Sequence, residues 1–386
     1  MQYPKLVSVM NSSCDENISD RRFLDAALRL ARKHQGLTGT NPSVACVIVA
    51  DLDIGQVIVG SAVTARGGRP HAEPPALEEA GELARGATAY VTLEPCAHHG
   101  KTPPCAQTLI DAGVKRVVTA IMDPDNRVNG RGHAMLLEAG VEVTEMDGGE
   151  AANRVIQGYL KARSGILPFV TLKLAMDPNG IIGCSKTGNL KISCKESMQQ
   201  THLARARHDA ILVGRGTAMA DDPMLTCRLP GMHHRSPVRV VLDSKCQLTD
   251  AYLLVSTAPD VPTWIFGSPT PPESWEAMVA KYRIQHIPAE IDDGHVALPE
   301  MFEDLAARGI QSVMVEGGAK LADSLLKDDL VDEIIVHVGG KPELPVEKDE
   351  AVRATFTPEN PPEGFEIVQT LKFGHDVSLR MRKRVE

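Results

Sequence analysis

His71-Ala-Glu73 is followed by Pro95-Cys96 and then by Cys105. One imidazole and two thiolates make three protein ligands for a zinc ion, which leaves the fourth tetrahedral position open to water. Structural zinc sites usually close with four protein ligands, so this set points to catalysis. A zinc ion held this way lowers the pKa of its water towards neutrality. Glu73 stands two residues from His71, where a carboxylate can sit beside that water without binding the metal. From there it can pass protons to a substrate and a leaving amine.

His-x-Glu with Pro-Cys and a second Cys is the grouping that zinc-dependent nucleobase deaminases use. A single His or Cys carries no such weight, because free cysteines are ordinarily small buried hydrophobes. That plain reading is taken for Cys14, Cys46, Cys184, Cys194, Cys227 and Cys246. His98 and His99 are alternative ligands that rank below His71 and are expected near substrate or solvent. The metal ligands are therefore expected to be His71, Cys96 and Cys105, and the catalytic acid/base Glu73.

The second half carries a different signal. No Gly-x-Gly-x-x-Gly follows a strand, which argues against a dinucleotide-binding Rossmann domain. Gly214-Arg-Gly216 is a partial match only. Val313 to Leu321 reads as a strand, two glycines and a helix, an arrangement that brings backbone N–H groups to a phosphate. It reads equally as a tight turn. Lys173, inside an apolar strand, is unusual enough to suggest a substrate contact.

These residues need a scaffold. In the first half, Arg21 to His34 reads as an amphipathic helix, with Phe23, Ala27, Leu30 and Ala31 on one face. Strands are expected at Val44 to Ala50, Gln56 to Val63, Ala89 to Leu93, Arg116 to Ile121 and Val141 to Glu145. Helices are expected at Pro74 to Leu83, Pro104 to Asp111 and Gly132 to Glu138. Both ligand groups thus fall at helix starts, which favour thiolates. A helix-like junction around Asn153 to Arg163 leads to a second alternation of strands and helices. That alternation ends in a hairpin turning at Gly374-His375-Asp376. The fold class is α/β, with two layered α/β domains, and the division is drawn at 1–150 and 151–386 within a boundary region of 150–165.

At about 150 residues per domain, 386 residues suit two to three domains. Hydrophobic residues at 43% can fill such cores. Lys plus Arg number 41 against 50 Asp plus Glu, a net charge of −9 that disfavours nucleic acid as the default partner. No apolar run is long enough for a bilayer, and Met1 to Asn17 has no signal-peptide pattern. The cytoplasm is the expected compartment.

Eight residues separate Cys96 from Cys105, where many nucleoside and nucleic-acid deaminases have about two to four. Leu93-Glu-Pro-Cys-Ala-His-His-Gly-Lys-Thr-Pro-Pro-Cys105 resembles the zinc loop of the bifunctional pyrimidine deaminase/reductases of riboflavin biosynthesis. Asn41 to Val49, Gly67 to Glu73 and Asp123 to Gly132 are similar to that family too. In the second half the similar stretches are Pro168 to Ala175, Asp209 to Gly214, Gly216 to Thr226, Pro237 to Ser244 and Val315 to Gly318. The resemblance implies a cytidine-deaminase-like N-terminal domain and a dihydrofolate-reductase-like C-terminal domain. It implies that Asn41 and the Pro103-Pro104 loop shape the pyrimidine pocket, although by spacing alone Asn41 is equally a turn residue.

For NADPH it implies contacts from Ala175, Lys191, Thr217, Asp221, Ser244 and the turn Gly318, Ala319, Lys320, Leu321, Ala322, Asp323 and Ser324. For the substrate it implies Asn189, Arg205, Leu225, Arg228 and Glu316, besides Lys173. Arg205 and Arg228 suit a ribosyl phosphate, which guanidinium groups bind bidentately. Three stretches depart from the family pattern: Asp177-Pro-Asn-Gly180, where Ser-Leu-Asp-Gly is usual, Lys191, where an aromatic is frequent, and Gly339 to Glu343.

The expectation is therefore a two-step enzyme with zinc and NADPH as cofactors. It would deaminate a phosphorylated ribosylaminopyrimidine and then reduce its ribosyl group to ribityl. The resemblance also implies a homo-oligomer. The alternative is a zinc deaminase of another nucleobase or of nucleic acid, with a non-catalytic second domain. Such a protein needs a basic face with interleaved aromatics, and aromatics are only 4% here.

Overall fold

The unbroken apolar run at 44–50 is a strand buried on both faces, since the first six residues of β1 (Ala45–Leu52) are all buried. The structure is a computed structural model that describes residues 5–100, 103–186, 190–339, 347 and 349–384, with side chains from residue 18 onward. The chain divides into two units, Met1–Gly165 and Ile166–Glu386.

In chain order the first unit is α1 (Lys5–Ala31), β1, β2 (Gly55–Val63), α2 (Glu73–Ala80), β3 (Thr88–Val91), α3 (Cys105–Asp111), β4 (Arg116–Thr119), α4 (Arg131–Glu138), β5 (Glu142–Glu145) and α5 (Gly149–Ser164). Its sheet runs β2-β1-β3-β4-β5. β1 is antiparallel to both neighbours, whereas β3, β4 and β5 are parallel. The segments that follow β3 and β4 therefore leave the same edge, and they carry the Leu93–Cys96 and Asp123–Gly132 motifs. Helix α1 begins well before the expected Arg21, and the chain tightens into a 3-10 turn at Arg32–His34. Helix α2 stops earlier than expected because Gly81 turns to φ +54, a left-handed geometry that ends helices.

The division falls after α5, at the far end of the expected 150–165 region. Helix α5 buries Ala152, Val155, Ile156 and Tyr159 in the first core, and the Tyr159 hydroxyl donates to Asp123 at 2.8 Å. The junction read from its polarity as a connection is thus a packed part of the first unit.

The second unit comprises β6 (Phe169–Met176), β7 (Ile181–Cys184), α6 (Lys195–Arg205), β8 (Ala210–Gly214), α7 (Arg215–Asp221), β9 (Val238–Asp243), α8 (Leu253–Ser256), β10 (Thr263–Gly267), α9 (Glu273–Tyr282) and β11 (Gln285–Pro288). Beyond these come the short strands β12 (Ile291–Asp292) and β13 (His295–Val296), α10 (Leu298–Ala307), β14 (Ser312–Val315), α11 (Ala319–Lys327), β15 (Glu333–Val338), β16 (Ala351–Arg353), β17 (Phe365–Phe373) and β18 (Asp376–Lys383). The main sheet runs β11-β10-β9-β8-β14-β6-β15-β18-β17. It is parallel from β11 to β15 and antiparallel over the last two pairings.

Side-chain alternation sorts its faces. Val170, Leu172, Leu174 and Met176 of β6 join Met301, Phe302 and Leu305 of α10 and Ala322 and Leu325 of α11 in one core. Thr171, Lys173 and Ala175 point to the other face. Strand β11 was not legible in the sequence because it is a short edge strand ending at Pro288, with only Ile287 buried. Helix α7 carries Gly216, a poor helix former, in its first turn.

Candidate active sites

In the first unit, His71 stands two residues before α2, Cys96 follows β3, and Cys105 opens α3. The first turn of α2 holds Pro74 and Pro75, whose missing N–H groups go unused there. The donor atoms of His71, Cys96 and Cys105 lie within 4.8 Å of one another. His71 Nδ1 is 3.7 Å from Cys96 Sγ and 3.4 Å from Cys105 Sγ. Ordinary zinc–sulfur and zinc–nitrogen bond lengths at a tetrahedral ion require an N···S edge of about 3.6 Å. The three residues present therefore fit zinc.

The Cys105 backbone N–H, at the start of α3, donates to Cys96 Sγ at 3.3 Å. Hydrogen bonding from Cys105 and then from His71 holds the Cys96 thiol down at about 4, against its burial. The bond to Cys96 raises His71. Sharing with Cys96 and burial push Cys105 up. Glu73 is buried, 4% exposed. Burial first, and the charge on Cys96 second, raise its carboxyl, as a group that must hold and release a proton requires. Asn41 faces the Gly67–Gly68 loop that leads to His71: a Cβ on Gly68 would stand 2.3 Å from Asn41 Nδ2. His98 and His99 lie outside the three-residue cluster.

Glu94, which the residue types of the motif left without a role, stands two residues before Cys96 in the loop after β3. It is buried and accepts from the backbone N–H groups of Gly130 at 3.0 Å and Gly132 at 2.9 Å, with longer bonds from Asp123 and His133 at 3.3 Å. A carboxylate there suits the N-terminal end of α4 and ties the loop after β3 to the loop after β4. The approach is tight, since a Cβ on Gly132 would stand 2.0 Å from the Pro95 carbonyl oxygen. Gly132→Ala must push Pro95-Cys96 or α4 aside. The expected result is a loss of about 1–3 kcal/mol in stability and roughly 10–100-fold weaker zinc binding, read by competition with a chromophoric chelator. Unchanged zinc affinity would rule this positioning out.

In the second unit, Glu316 follows β14 and accepts both Nε and Nη2 of Arg205 at 2.7 Å. Arg205 Nη1 donates to the Thr226 carbonyl at 3.1 Å. Burial alone would raise Glu316, but Arg205, Lys173 and His202 prevail and hold it at about 2. Arg205 is therefore committed to a carboxylate. Of the two expected phosphate clamps, Arg228 is the exposed one. Lys173 is lowered by burial first. It lines a cavity of about 90 Å³ with Thr201, Met314, Ile335 and His337, between α6 and the sheet. Leu225 is buried with φ +52, a strained backbone for a branched residue. Asn189 lies outside the described residues, as do Gly340 to Glu343.

Ala175, Thr217, Ser244 and Glu316 end or closely follow β6, β8, β9 and β14, which are mutually parallel neighbours. They share the carboxyl edge of the sheet, where open α/β sheets bind ligands. A Cβ on Gly318 would stand 3.6 Å from Thr217 Oγ1, so those two turns meet. Burial raises Asp221. Ser244 donates to the Gly294 carbonyl at 2.8 Å, and Lys191 is exposed.

The expected stretch Gly318 to Ser324 spans the N-cap and first turns of α11 (Ala319–Lys327). Ala322 is buried in the core and its N–H donates to the Gly318 carbonyl. Asp323 accepts from Thr355, and Ser324 donates to the Lys320 carbonyl. Ala319, Lys320 and Leu321 keep the first-turn N–H groups of α11.

Asp177 explains one departure from the family pattern. Its carboxylate accepts from the Asn179 and Ile181 N–H groups and so shapes the turn from β6 to β7. Arg239 was not foreseeable from sequence. It is fully buried, and its guanidinium donates to the Met224 and Val261 carbonyls and to Thr257 and Thr263. It thereby anchors the residue before Leu225.

Residues 17–121 match the cytidine and deoxycytidylate deaminase zinc-binding region, and residues 168–341 match the RibD C-terminal domain. The chain is 37% identical over 335 residues to the riboflavin biosynthesis protein RibD of Escherichia coli, covering 84% of this chain and 88% of that one. It is 40% identical over 314 residues to RibD of Bacillus amyloliquefaciens, covering 81% and 82%. The solved structure of Acinetobacter baumannii RibD superposes with a TM-score of 0.80 at 31% identity, covering 95% of this chain and 99% of that one. A Thermotoga maritima diaminohydroxyphosphoribosylaminopyrimidine deaminase/5-amino-6-(5-phosphoribosylamino)uracil reductase superposes with the same TM-score at 29% identity and the same coverage. With a zinc-binding deaminase unit followed by a reductase unit in one chain, this protein belongs to the RibD family of bifunctional deaminase/reductases of riboflavin biosynthesis.

Proposed function

We propose that the first unit converts 2,5-diamino-6-(ribosylamino)-4(3H)-pyrimidinone 5′-phosphate to its deaminated uracil counterpart, and that the second reduces the ribosyl group to ribityl with NADPH. The observation that carries the reading is the convergence of His71, Cys96 and Cys105 on one point beside the buried, proton-holding Glu73. Zinc bound there supplies a Lewis acid that brings a water to the acidity needed near neutral pH. Glu73 takes the proton of the attacking water and delivers it to the pyrimidine ring and the leaving ammonia. Asn41 and Pro104 wall the pyrimidine, and buried Glu94 holds Cys96 in register.

In the second unit NADPH supplies the hydride to C1 of the opened ribosylamino group. The N-terminal turn of α11, with Thr217 and Ala175 beside it, receives the cofactor's anionic part. Lys173 and the Glu316–Arg205 pair form the buried polar floor for the substrate. Arg228 meets its phosphate, a group guanidinium binds well.

We place the protein in the cytoplasm, because no disulfide occurs among the described cysteines and the thiol ligands need a reducing compartment. No helix among the described residues is long and apolar enough to cross a membrane. A net charge of −9 and few aromatics favour a small-molecule substrate over nucleic acid. Ile367, Val368 and Leu371 are exposed on the edge strand β17, which supports a homo-oligomer through the second unit.

The test is mass spectrometry of the diaminopyrimidinone ribosyl phosphate after incubation with zinc-loaded protein, with and without NADPH. Deamination alone is expected without NADPH, and deamination followed by gain of two hydrogens with it. Chelator-treated protein should lose the first conversion and still reduce the deaminated intermediate. No conversion by zinc-loaded protein would overturn the substrate assignment.

A further inference from the structure

Cys194, which the sequence suggested to be an ordinary buried thiol, stands at the N-cap of α6. Its N–H donates to Asp376 Oδ2 at 2.8 Å. Asp376 opens β18 and is fully buried, and its Oδ1 lies 3.4 Å from Nε2 of the exposed His375. Donor atoms of Cys194, His375 and Asp376 lie within 4.8 Å of one another. Gly374 permits this approach. Its φ is +58, and a Cβ there would stand 2.7 Å from Glu196 Oε2 and 3.1 Å from Cys194 Sγ. The thiol donates to the Phe373 carbonyl at 3.0 Å and has Ser197 Oγ at 3.5 Å.

We propose that Cys194, His375 and Asp376 form a second binding site for a zinc-class divalent ion, in a different unit from His71, Cys96 and Cys105, with the fourth position left to water. One sulfur, one imidazole and one carboxylate oxygen suit zinc, cobalt or cadmium and not the oxygen-seeking magnesium or calcium. Ordinary zinc–nitrogen and zinc–oxygen bonds at a tetrahedral ion set an N···O edge of about 3.4 Å, which is the His375–Asp376 separation. Binding forms a metal–sulfur bond and breaks the S–H bond. The thiol proton leaves to solvent, and the hydrogen bond to the Phe373 carbonyl is given up. The ion then clamps the turn between β17 and β18 onto the first turn of α6, the helix that ends at Arg205.

Zinc counting by elemental mass spectrometry, on full-length protein equilibrated in zinc–chelator buffers, tests this directly. Wild type is expected to hold about two ions per chain, and His375→Ala and Cys194→Ser about one each. Cys96→Ser should lose the other ion and keep this one. In Cys96→Ser loaded with cobalt, a sulfur-to-metal charge-transfer band should remain and should vanish on adding Cys194→Ser. His375 is exposed, so H375A is expected to fold, and circular dichroism checks it. The proposal is overturned if H375A and C194S bind as much zinc as wild type, or if the cobalt band of Cys96→Ser is absent. A single ion lost by H375A and kept by Cys96→Ser would uphold this site and sink the first one.

Discussion

Glu73→Gln is expected to remove deamination almost completely, by about 10²–10⁴-fold in kcat. The glutamine keeps the size and the neighbours of the carboxyl but cannot accept a proton from water. Zinc content should be unchanged, because Glu73 is not among the proposed donors His71, Cys96 and Cys105. Reduction of the deaminated intermediate by NADPH should also persist, because that chemistry sits in another unit. Separate assays of the two half-reactions on one preparation make the comparison. If E73Q deaminates within tenfold of wild type, Glu73 is not the proton carrier. If it loses zinc as well, its role is structural.

Glu316→Ala should be the most damaging change in the second unit. The Arg205 and Glu316 side chains are 7% and 14% exposed, and Lys173 and His202 add positive charge around the same carboxylate. Removing one partner of a buried pair costs about 3–5 kcal/mol, because the other charge is left without compensation. For a unit of this size that corresponds to a fall in Tm of roughly 6–20 °C. The same variant should lose NADPH-dependent reduction while the first unit keeps its deaminase activity.

The effect has a defined pH sign. The folded carboxyl is held at about 2, below its ordinary value. Its contribution to stability is therefore fully present above the unfolded carboxyl's pKa of about 4.3 and is lost as pH falls towards the folded value. The gap between wild type and E316A should be full at neutral pH and close in acid. Arg205→Met combined with Glu316→Leu separates structure from function: an apolar pair of similar bulk should recover most of the stability and none of the reduction. A fall in Tm of less than a degree or two in E316A, or a gap that widens in acid, would count against the pair as a support.

The two sites differ in how far the sequence exposed them. His71, Glu73, Cys96 and Cys105 were legible because zinc chemistry constrains residue type and the ligands fall beside helix starts. The partner of Arg205 was not legible, since it lies 111 residues away in sequence. Nothing in the composition of either segment says that a guanidinium expected to clamp phosphate is already held by Glu316. Arg239 shows the same limit, because an arginine in an apolar strand gives no hint that carbonyls at Met224 and Val261 will satisfy it. Within the expected 150–165 region, the place of the boundary was left open by a polar helix whose few apolar residues fill the first core.

From the sequence alone came the α/β class, the order of most strands and helices, the three donors that cluster at His71, Cys96 and Cys105, and the stretches that mark the family. All of these rest on local spacing or on residue identity. Only the tertiary structure decided which strands are neighbours, and so which strand ends share an edge. It alone brought Thr217 to Gly318, Gly132 to Pro95, and Cys194 to the turn at His375. Such contacts depend on the pairing of distant segments, where the relevant quantity is a distance of a few ångströms between chain positions that no local periodicity relates.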